Sequence, residues 1–323
     1  MAPFPLRGAP SGLRLGCALF RCGKPTTLAL SLALLAVASS AASADRVIAL
    51  SPHLAELACA AGGCDKLVGV VAWSDFPERV KALPQVGDAF AVNVEQVVSL
   101  RPDLVLTWDG GTPRETQERL RGLKLRVESL AIRRLDEVAD GLRQVGAWLG
   151  TAPAAERAAR DYTARLARLR AQHAGVSALR VFYQIESNPP YSVNRDSPIS
   201  QAIELCGGRN VFAGLPTLAA PVNREAVLAR DPQVVIYTRQ DDVAAIREYW
   251  RRGPGVAATR AGALFEIDGN LLDRATPRLL DGVEQLCAAL SAARAMYPST
   301  ALPGRPSSVP ARAPPRTGNR TGG

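Results

Sequence analysis

Short apolar runs alternate with amphipathic stretches along most of the chain, a pattern that predicts strands and helices taking turns. Arg46-Val-Ile-Ala-Leu50 predicts a strand, and Ser51-Pro52 opens a helix through Ala61 that Gly62-Gly63 stops. Further strands are predicted over 67–71, 103–108 and 126–130, with helices over 94–100, 112–123 and 135–149. The longest amphipathic stretch follows, Pro153 to Ala174. Its larger or apolar positions Ala155, Ala159, Tyr162, Leu166 and Leu169 are spaced alternately by four and three. Thr151 is placed to cap this helix, Pro153 suits a first turn and Gly175 ends it. At about 1.5 Å per residue it would span about 30 Å. The same grammar then resumes, with strands over 180–184 and 264–267 and helices over 199–205, 243–250 and 277–295. Strands alternating with helices imply α/β architecture, parallel sheets with helices packed on them.

The two halves share more than grammar. Asn93-Val-Glu-Gln-Val-Val-Ser-Leu-Arg-Pro-Asp-Leu-Val-Leu106 is repeated by Asn223-Arg-Glu-Ala-Val-Leu-Ala-Arg-Asp-Pro-Gln-Val-Val-Ile236 at a constant offset of 130. Asn93 matches Asn223, Glu95 matches Glu225, Val97 matches Val227, Pro102 matches Pro232 and Val105 matches Val235. In each copy Asn can cap the helix, Glu sits in its first turn and Pro enters the next strand. A single repeat of this length is a domain duplication, not a solenoid. The long helix then links two related α/β lobes.

The ends read differently from the middle. Residues 1–44 carry Arg7, Arg14, Arg21 and Lys24 and no acid, then an apolar run from Thr26 to Ala38, then Ala42-Ser43-Ala44. This is the order of a secretory signal peptide cleaved near Ala44, and the apolar run falls short of the roughly 20 residues of a membrane span. Residues 299–323, rich in Pro, Ser, Gly and Arg without periodicity, are expected to be a disordered tail. These ends account for the charge. Of 39 basic residues, four lie in the leader and four in the tail, while none of the 30 acids does. The folded part therefore carries 31 bases against 30 acids, so the total of +9 is no argument for nucleic acid. The expected organisation is a leader over 1–44, an N-terminal lobe over 45–150, a linking helix over 151–175, a C-terminal lobe over 176–298 and the tail.

Export permits disulfides, and four cysteines remain after cleavage: Cys59, Cys64, Cys206 and Cys287. They allow three connectivities, of which Cys206–Cys287 within the second half is favoured, with Cys59–Cys64 as a local pair. No Cys-x-x-Cys pair or neighbouring His completes a zinc site. His53 and His173 are the only histidines, and there is no nucleophile-elbow motif, phosphate-binding loop or dinucleotide fingerprint. His53 with Asp75 could serve a metal-dependent or hydrolytic enzyme, but carboxylates with one His are common by chance, so the chain reads as a non-enzyme. Aromatic residues instead follow predicted strands: Trp73, Trp108 and Tyr191. The carboxyl ends of strands in open α/β sheets face the ligand crevice, where aromatic faces would suit a large flat ligand.

Specific segments then carry a resemblance. Arg46-Val-Ile-Ala-Leu-Ser-Pro52, Gly69-Val-Val-Ala-Trp-Ser-Asp-Phe-Pro77, Asn93-Val-Glu95, Leu100-Arg-Pro-Asp103, Asn188-Pro-Pro190, Glu204-Leu-Cys-Gly-Gly208 and Arg274-Ala-Thr-Pro-Arg278 resemble the periplasmic cobalamin-binding proteins of ABC importers. The resemblance runs from about residue 46 to 292. These proteins belong to the helical-backbone (class III) superfamily, which also includes haem and ferric-siderophore receptors. The resemblance implies two Rossmann-like lobes joined by one long helix, with the ligand cleft between them; a single stiff connector predicts only small closing movements.

Carried over by residue, it implies that Trp73, Trp108 and Tyr191 stack on the ligand and that Arg274 contacts it. Phe90 stands beside Ala89, where the family has tryptophan, and is the expected substitute. Asn270 falls at an acidic ligand contact, keeping an acceptor without the charge, and Leu271 and Leu272 replace aromatics. Cys206 and Cys287 match the family's disulfide. Glu95 and Glu225 match lobe-tip carboxylates that dock on arginines of the membrane permease, one per lobe, as a two-fold permease dimer requires. The expected function is capture of cobalamin or a related corrinoid in the periplasm by a monomer that needs no cofactor, and delivery to an inner-membrane ABC permease dimer with its ATPase. The alternative ligand is haem, with Tyr191 or His53 as iron ligand, or a ferric siderophore.

Overall fold

Val47–Ala49 (β1) is buried along its whole length, as a central parallel strand covered on both faces requires. The computed structural model in which it lies describes residues 43–88, 91–186, 189–238, 243–252 and 255–297. Residues 1–42 of the expected leader, the expected tail over 299–323 and Phe90 lie outside the described residues. After β1 come α1 (Pro52–Ala60), β2 (Leu67–Val70), α2 (Val94–Ser99), β3 (Leu104–Trp108), α3 (Arg114–Gly122), β4 (Val127–Leu130) and α4 (Glu137–Leu149). Then α5 (Ala152–Gln172) leads into β5 (Leu179–Gln184), β6 (Tyr191–Val193), α6 (Pro198–Leu205), β7 (Gly208–Asn210) and β8 (Ala219–Pro221). The chain continues through α7 (Arg224–Arg230), β9 (Val234–Thr238), α8 (Val243–Arg251), α9 (Ala257–Ala261), β10 (Leu264–Ile267), α10 (Gly269–Leu272) and α11 (Leu279–Ala295).

The first lobe holds a parallel sheet in the order β2-β1-β3-β4, the second a parallel sheet in the order β7-β5-β9-β10. Counted by appearance within each sheet, both orders are second, first, third, fourth. The repeated segment occupies the same place in each lobe. Asn93 caps α2 by accepting from the Gln96 amide at 3.1 Å, and Asn223 caps α7 from the Ala226 amide at 2.8 Å. The matched Val105 and Val235 both lie in the third strand, beside Ile48 of β1 and Phe182 of β5. Duplication is thus visible in topology, capping and register.

Helix α5 buries Ala155, Ala159, Tyr162, Leu166 and Leu169, the predicted seam, and packs against α4 and α11. Those two helices belong to different lobes, so the seam joins one hydrophobic cluster with members from both. Ion pairs flank it: Arg170 grips Asp136 with two bonds of 2.8 Å, and Arg165 reaches Asp281 at 2.6 Å and Glu284 at 2.9 Å on α11. Gly150 ends α4 at φ +69°, where a Cβ would also come 2.6 Å from that of Ser43. One local expectation fails. Thr151 makes no side-chain cap to α5, and its hydroxyl is buried without a partner among the described residues.

The periodic pattern did not predict β6, β7, β8, α9 or α10, which are three to five residues each. Tyr191, expected in a loop, opens β6, which pairs antiparallel with β8. Elements this short carry too few residues for periodicity to register. Both cysteine pairs are bonded, Cys206–Cys287 between α6 and α11 and Cys59–Cys64 across the end of α1.

Candidate functional site

In each sheet the first and third strands are neighbours from which the chain departs in opposite directions, so a crevice opens beyond their carboxyl ends. In the first lobe that point falls between Leu50-Ser51-Pro52-His53 after β1 and Trp108-Asp109 at the end of β3. His53 and Trp108 meet edge to face there, with ring centroids 5.2 Å apart. Ser51 Oγ lies 2.5 Å from His53 Nδ1. Gly111 explains how Trp108 is accommodated, because a Cβ at that position would come 1.8 Å from its ring. Thr112 Oγ1 accepts from the Trp108 amide at 3.1 Å, and Arg133 pairs with Asp109 at 2.8 Å beside it. His53 keeps part of its surface in the cleft while protein surrounds the rest. That burial, and secondarily the positive charge of Arg274, push its pKa down to about 4, so the imidazole is neutral at neutral pH.

The second lobe closes the other side. Ile185 after β5, Val193 of β6, the turn Asn194–Pro198, Leu218 and Asp273 face the first-lobe residues across a cleft of about 560 Å³. Asn194 Oδ1 accepts from the Asp196 amide at 2.9 Å and shapes the turn. The Tyr183 hydroxyl donates to Asp273 from beneath. The volume and the mainly apolar lining with a few polar groups are those of a small-molecule site.

The lobes touch at two further places. At one, Gln201 of α6 donates to the Arg133 carbonyl at 3.1 Å and accepts from the Leu135 amide at 3.0 Å. At the other, Glu56 of α1, only 3% exposed, receives two arginines of the second lobe. Arg274 reaches it at 2.8 Å, and Arg278 with bonds of 2.7 and 3.1 Å. Arg274 also donates to Asp75 at 2.6 Å, to the Trp73 carbonyl at 3.1 Å and to Asn270 Oδ1 at 2.7 Å. The Arg278 guanidinium lies 3.7 Å above the Phe76 ring. Two carboxylates and two guanidiniums neutralise one another in this cluster, which satisfies the requirement for burying Glu56.

The expected site residues are therefore dispersed. Trp108 lines the cleft. Trp73 is 81% exposed, and its residue adopts φ +66°. Tyr191 is half-buried in β6, bonded through its backbone to Ile185 at 2.7 and 2.9 Å, and is not among the cleft-lining residues. Arg274 and Asn270 belong to the inter-lobe cluster. Glu95 and Glu225 are exposed, each in the first turn of its capped helix, and neither forms an ion pair among the described residues. His173 is the C-terminal cap residue of α5 and is not among the cleft-lining residues. Sequence reasoning missed Glu56, Arg278 and Gln201. A carboxylate inside the apolar run Leu54-Ala-Glu-Leu-Ala-Cys-Ala60 was a signal for the first, since such a residue is buried only with a partner.

Comparison with known proteins adds to this geometry. A model of the periplasmic binding protein family matches residues 47–269. A vitamin B12-binding protein of Pectobacterium carotovorum subsp. carotovorum is 35% identical over 251 residues, 77% of this chain and 89% of that protein. The crystal structure of a periplasmic vitamin B12 binding protein of Vibrio cholerae is 32% identical, with a TM-score of 0.70 over 78% of this chain and 98% of its own. A periplasmic heme binding protein from Pseudomonas aeruginosa is 31% identical, with a TM-score of 0.67 over 76% of this chain and 92% of its own.

Proposed function

The chain belongs to the periplasmic binding protein family, and we propose that it captures cobalamin or a related corrinoid between its lobes and delivers it to an ABC permease. The observation that carries this is the cleft at the paired sheet crevices, walled by Trp108 and His53 on one side and by Ile185, Val193 and Leu218 on the other. Its apolar walls suit the faces of a macrocycle, and Asp196, Asn194 and Asp273 offer acceptors to amide groups at the periphery. The vitamin B12-binding relatives supply the ligand class. In this reading Trp73 and Tyr191 reach the ligand at the cleft margin, and Phe90, which lies outside the described residues, is a further ligand contact. Arg274 and Asn270 contact its edge from the inter-lobe cluster. Glu95 and Glu225 dock on a permease dimer that works with its ATPase. The protein acts as an exported monomer without a resident cofactor and catalyses no reaction; its leader is cleaved near Ala44.

Isothermal titration of the purified protein with cyanocobalamin tests the reading. A 1:1 heat with micromolar or tighter affinity, about −8 kcal/mol or more favourable, is expected, and absence of heat at that concentration rejects it. Haem is the second reading, favoured by His53 in the cleft and by the Pseudomonas aeruginosa relative. Absorption spectra with haem and cobalamin in competition separate the two, because only a bound haem develops a ligand-dependent Soret shift.

A further inference from the structure

We propose that His53 Nε2 is an axial ligand to the cobalt of a corrinoid held in the cleft, taking the place of an exchangeable water. This rests on the corrinoid reading above and goes beyond it by assigning a bond to the metal.

Three features of the site lead there. His53 stands at the crevice after β1 and lines the cleft itself, not the clamp beside it. Its Nδ1 is already engaged, 2.5 Å from Ser51 Oγ, and Ser51 is 3% exposed and so held in place. Nε2 has no hydrogen-bond partner among the described residues and is not among the enclosed unpartnered atoms, so it keeps accessible surface on a residue that lines the cleft. The edge-to-face contact with Trp108 at 5.2 Å restrains the ring plane. A metal-ligating histidine characteristically donates its other ring N–H to a fixed oxygen, which sets the tautomer and orients the ring. Ser51 Oγ can accept that proton, leaving the Nε2 lone pair for the metal.

No cluster of three metal-ligating side chains exists among the described residues, so a free metal ion is a poor occupant. A macrocycle that brings its own equatorial nitrogens needs only one axial donor from the protein, and the cleft supplies one. The step is a ligand exchange. A cobalt–water bond breaks, a cobalt–Nε2 bond forms from the imidazole lone pair, no electron changes hands and the Nδ1 proton stays on its bond to Ser51.

Cobinamide is the probe, because it lacks a nucleotide base and any nitrogen that appears on cobalt beyond the corrin must come from the protein. Bound to the full protein, cob(II)inamide is expected to show nitrogen superhyperfine splitting in its electron paramagnetic resonance spectrum, and diaquacobinamide a shift of its absorption bands. His53→Ala should abolish both signals. It should weaken diaquacobinamide by about 10-fold or more, and dicyanocobinamide, whose axial positions are blocked, by clearly less. His53→Gln, which keeps a hydrogen-bonding side chain, guards against a folding defect and should also lose the signals, with the fold of both variants checked by circular dichroism. Cobinamide bound without nitrogen splitting, or equal losses for the two forms, overturns the proposal while leaving the corrinoid reading intact. Failure of the wild-type protein to bind any corrinoid overturns both.

Discussion

Glu56 is a carboxylate with almost no access to water and with two guanidiniums from the other lobe on its oxygens. Removing one member of such a buried cluster leaves the remaining charges uncompensated, so Glu56→Gln should lower stability by about 3–5 kcal/mol in urea denaturation. Asp75 meets the same Arg274, but its side chain is 40% exposed, and Asp75→Asn should cost about 1 kcal/mol or less. His53 gives a pH dependence of definite sign. Its folded pKa of about 4 lies below the usual 6.5, so between those values the unfolded chain binds more protons. Stability contributed by the neutral ring is complete above pH 6.5 and is lost as pH falls towards 4, by up to about 3 kcal/mol. Arg274 reinforces this shift, whereas Asp109 is already paired with Arg133. Chemical denaturation at several pH values should show a shallower acid slope for His53→Leu than for the wild type. Asp103 offers a third test. It accepts from the Asp45 amide at 2.8 Å and the Arg46 amide at 3.0 Å. A leader cut after Ala44 would turn the first of these into an ammonium–carboxylate pair, though Ala44 itself packs in the core at 2% exposure. In a chain beginning at Asp45, Asp103→Asn should therefore cost about 1 kcal/mol, and less in one that retains the preceding residues; thermal denaturation of the two forms checks it.

At the scale of elements, the seam of α5 and the twin capped helices α2 and α7 are legible because helical periodicity and capping chemistry are local properties of the chain. The strand that Tyr191 opens is not legible in the sequence because it exists only by pairing with β8, nearly thirty positions away. Glu56 was passed over for a related reason, since its two partners come from the far end of the sequence. The disulfides differ in what they enclose. Cys206–Cys287 spans 81 positions and Cys59–Cys64 only five. Chain-entropy arguments then assign about 4–5 kcal/mol to the first and about 2 kcal/mol to the second. Guanidinium denaturation of Cys206→Ser/Cys287→Ser and Cys59→Ser/Cys64→Ser double variants should rank them in that order.

For the whole molecule, α5 shares one core with both lobes, and contacts through Gln201 and Glu56 join the lobes at two further places. A linkage of this kind favours small changes in lobe angle, set by the arginine cluster more than by a flexible hinge. Glu95 and Glu225 lie outside this machinery, at matched positions of the two lobes. Single Glu95→Ala and Glu225→Ala variants should leave corrinoid affinity within about twofold, while import by the reconstituted transporter falls for each and further for the double variant. A loss of affinity in parallel with import would assign them to the ligand instead.

The sequence by itself determined the alternation of strands and helices, the duplication at an offset of 130, the linking helix and its buried seam, because each is written in near-neighbour spacing or in the comparison of two segments. It also placed Trp108 at the carboxyl end of a strand. Only the tertiary structure decided which of the expected residues share one cleft. It drew Arg274 and Asn270 into a clamp around Glu56, left Trp73 in solvent and set His53 in the wall of the cleft. The reason is that a buried charge must find its partner in space, and distance along the chain says nothing about which partner that will be.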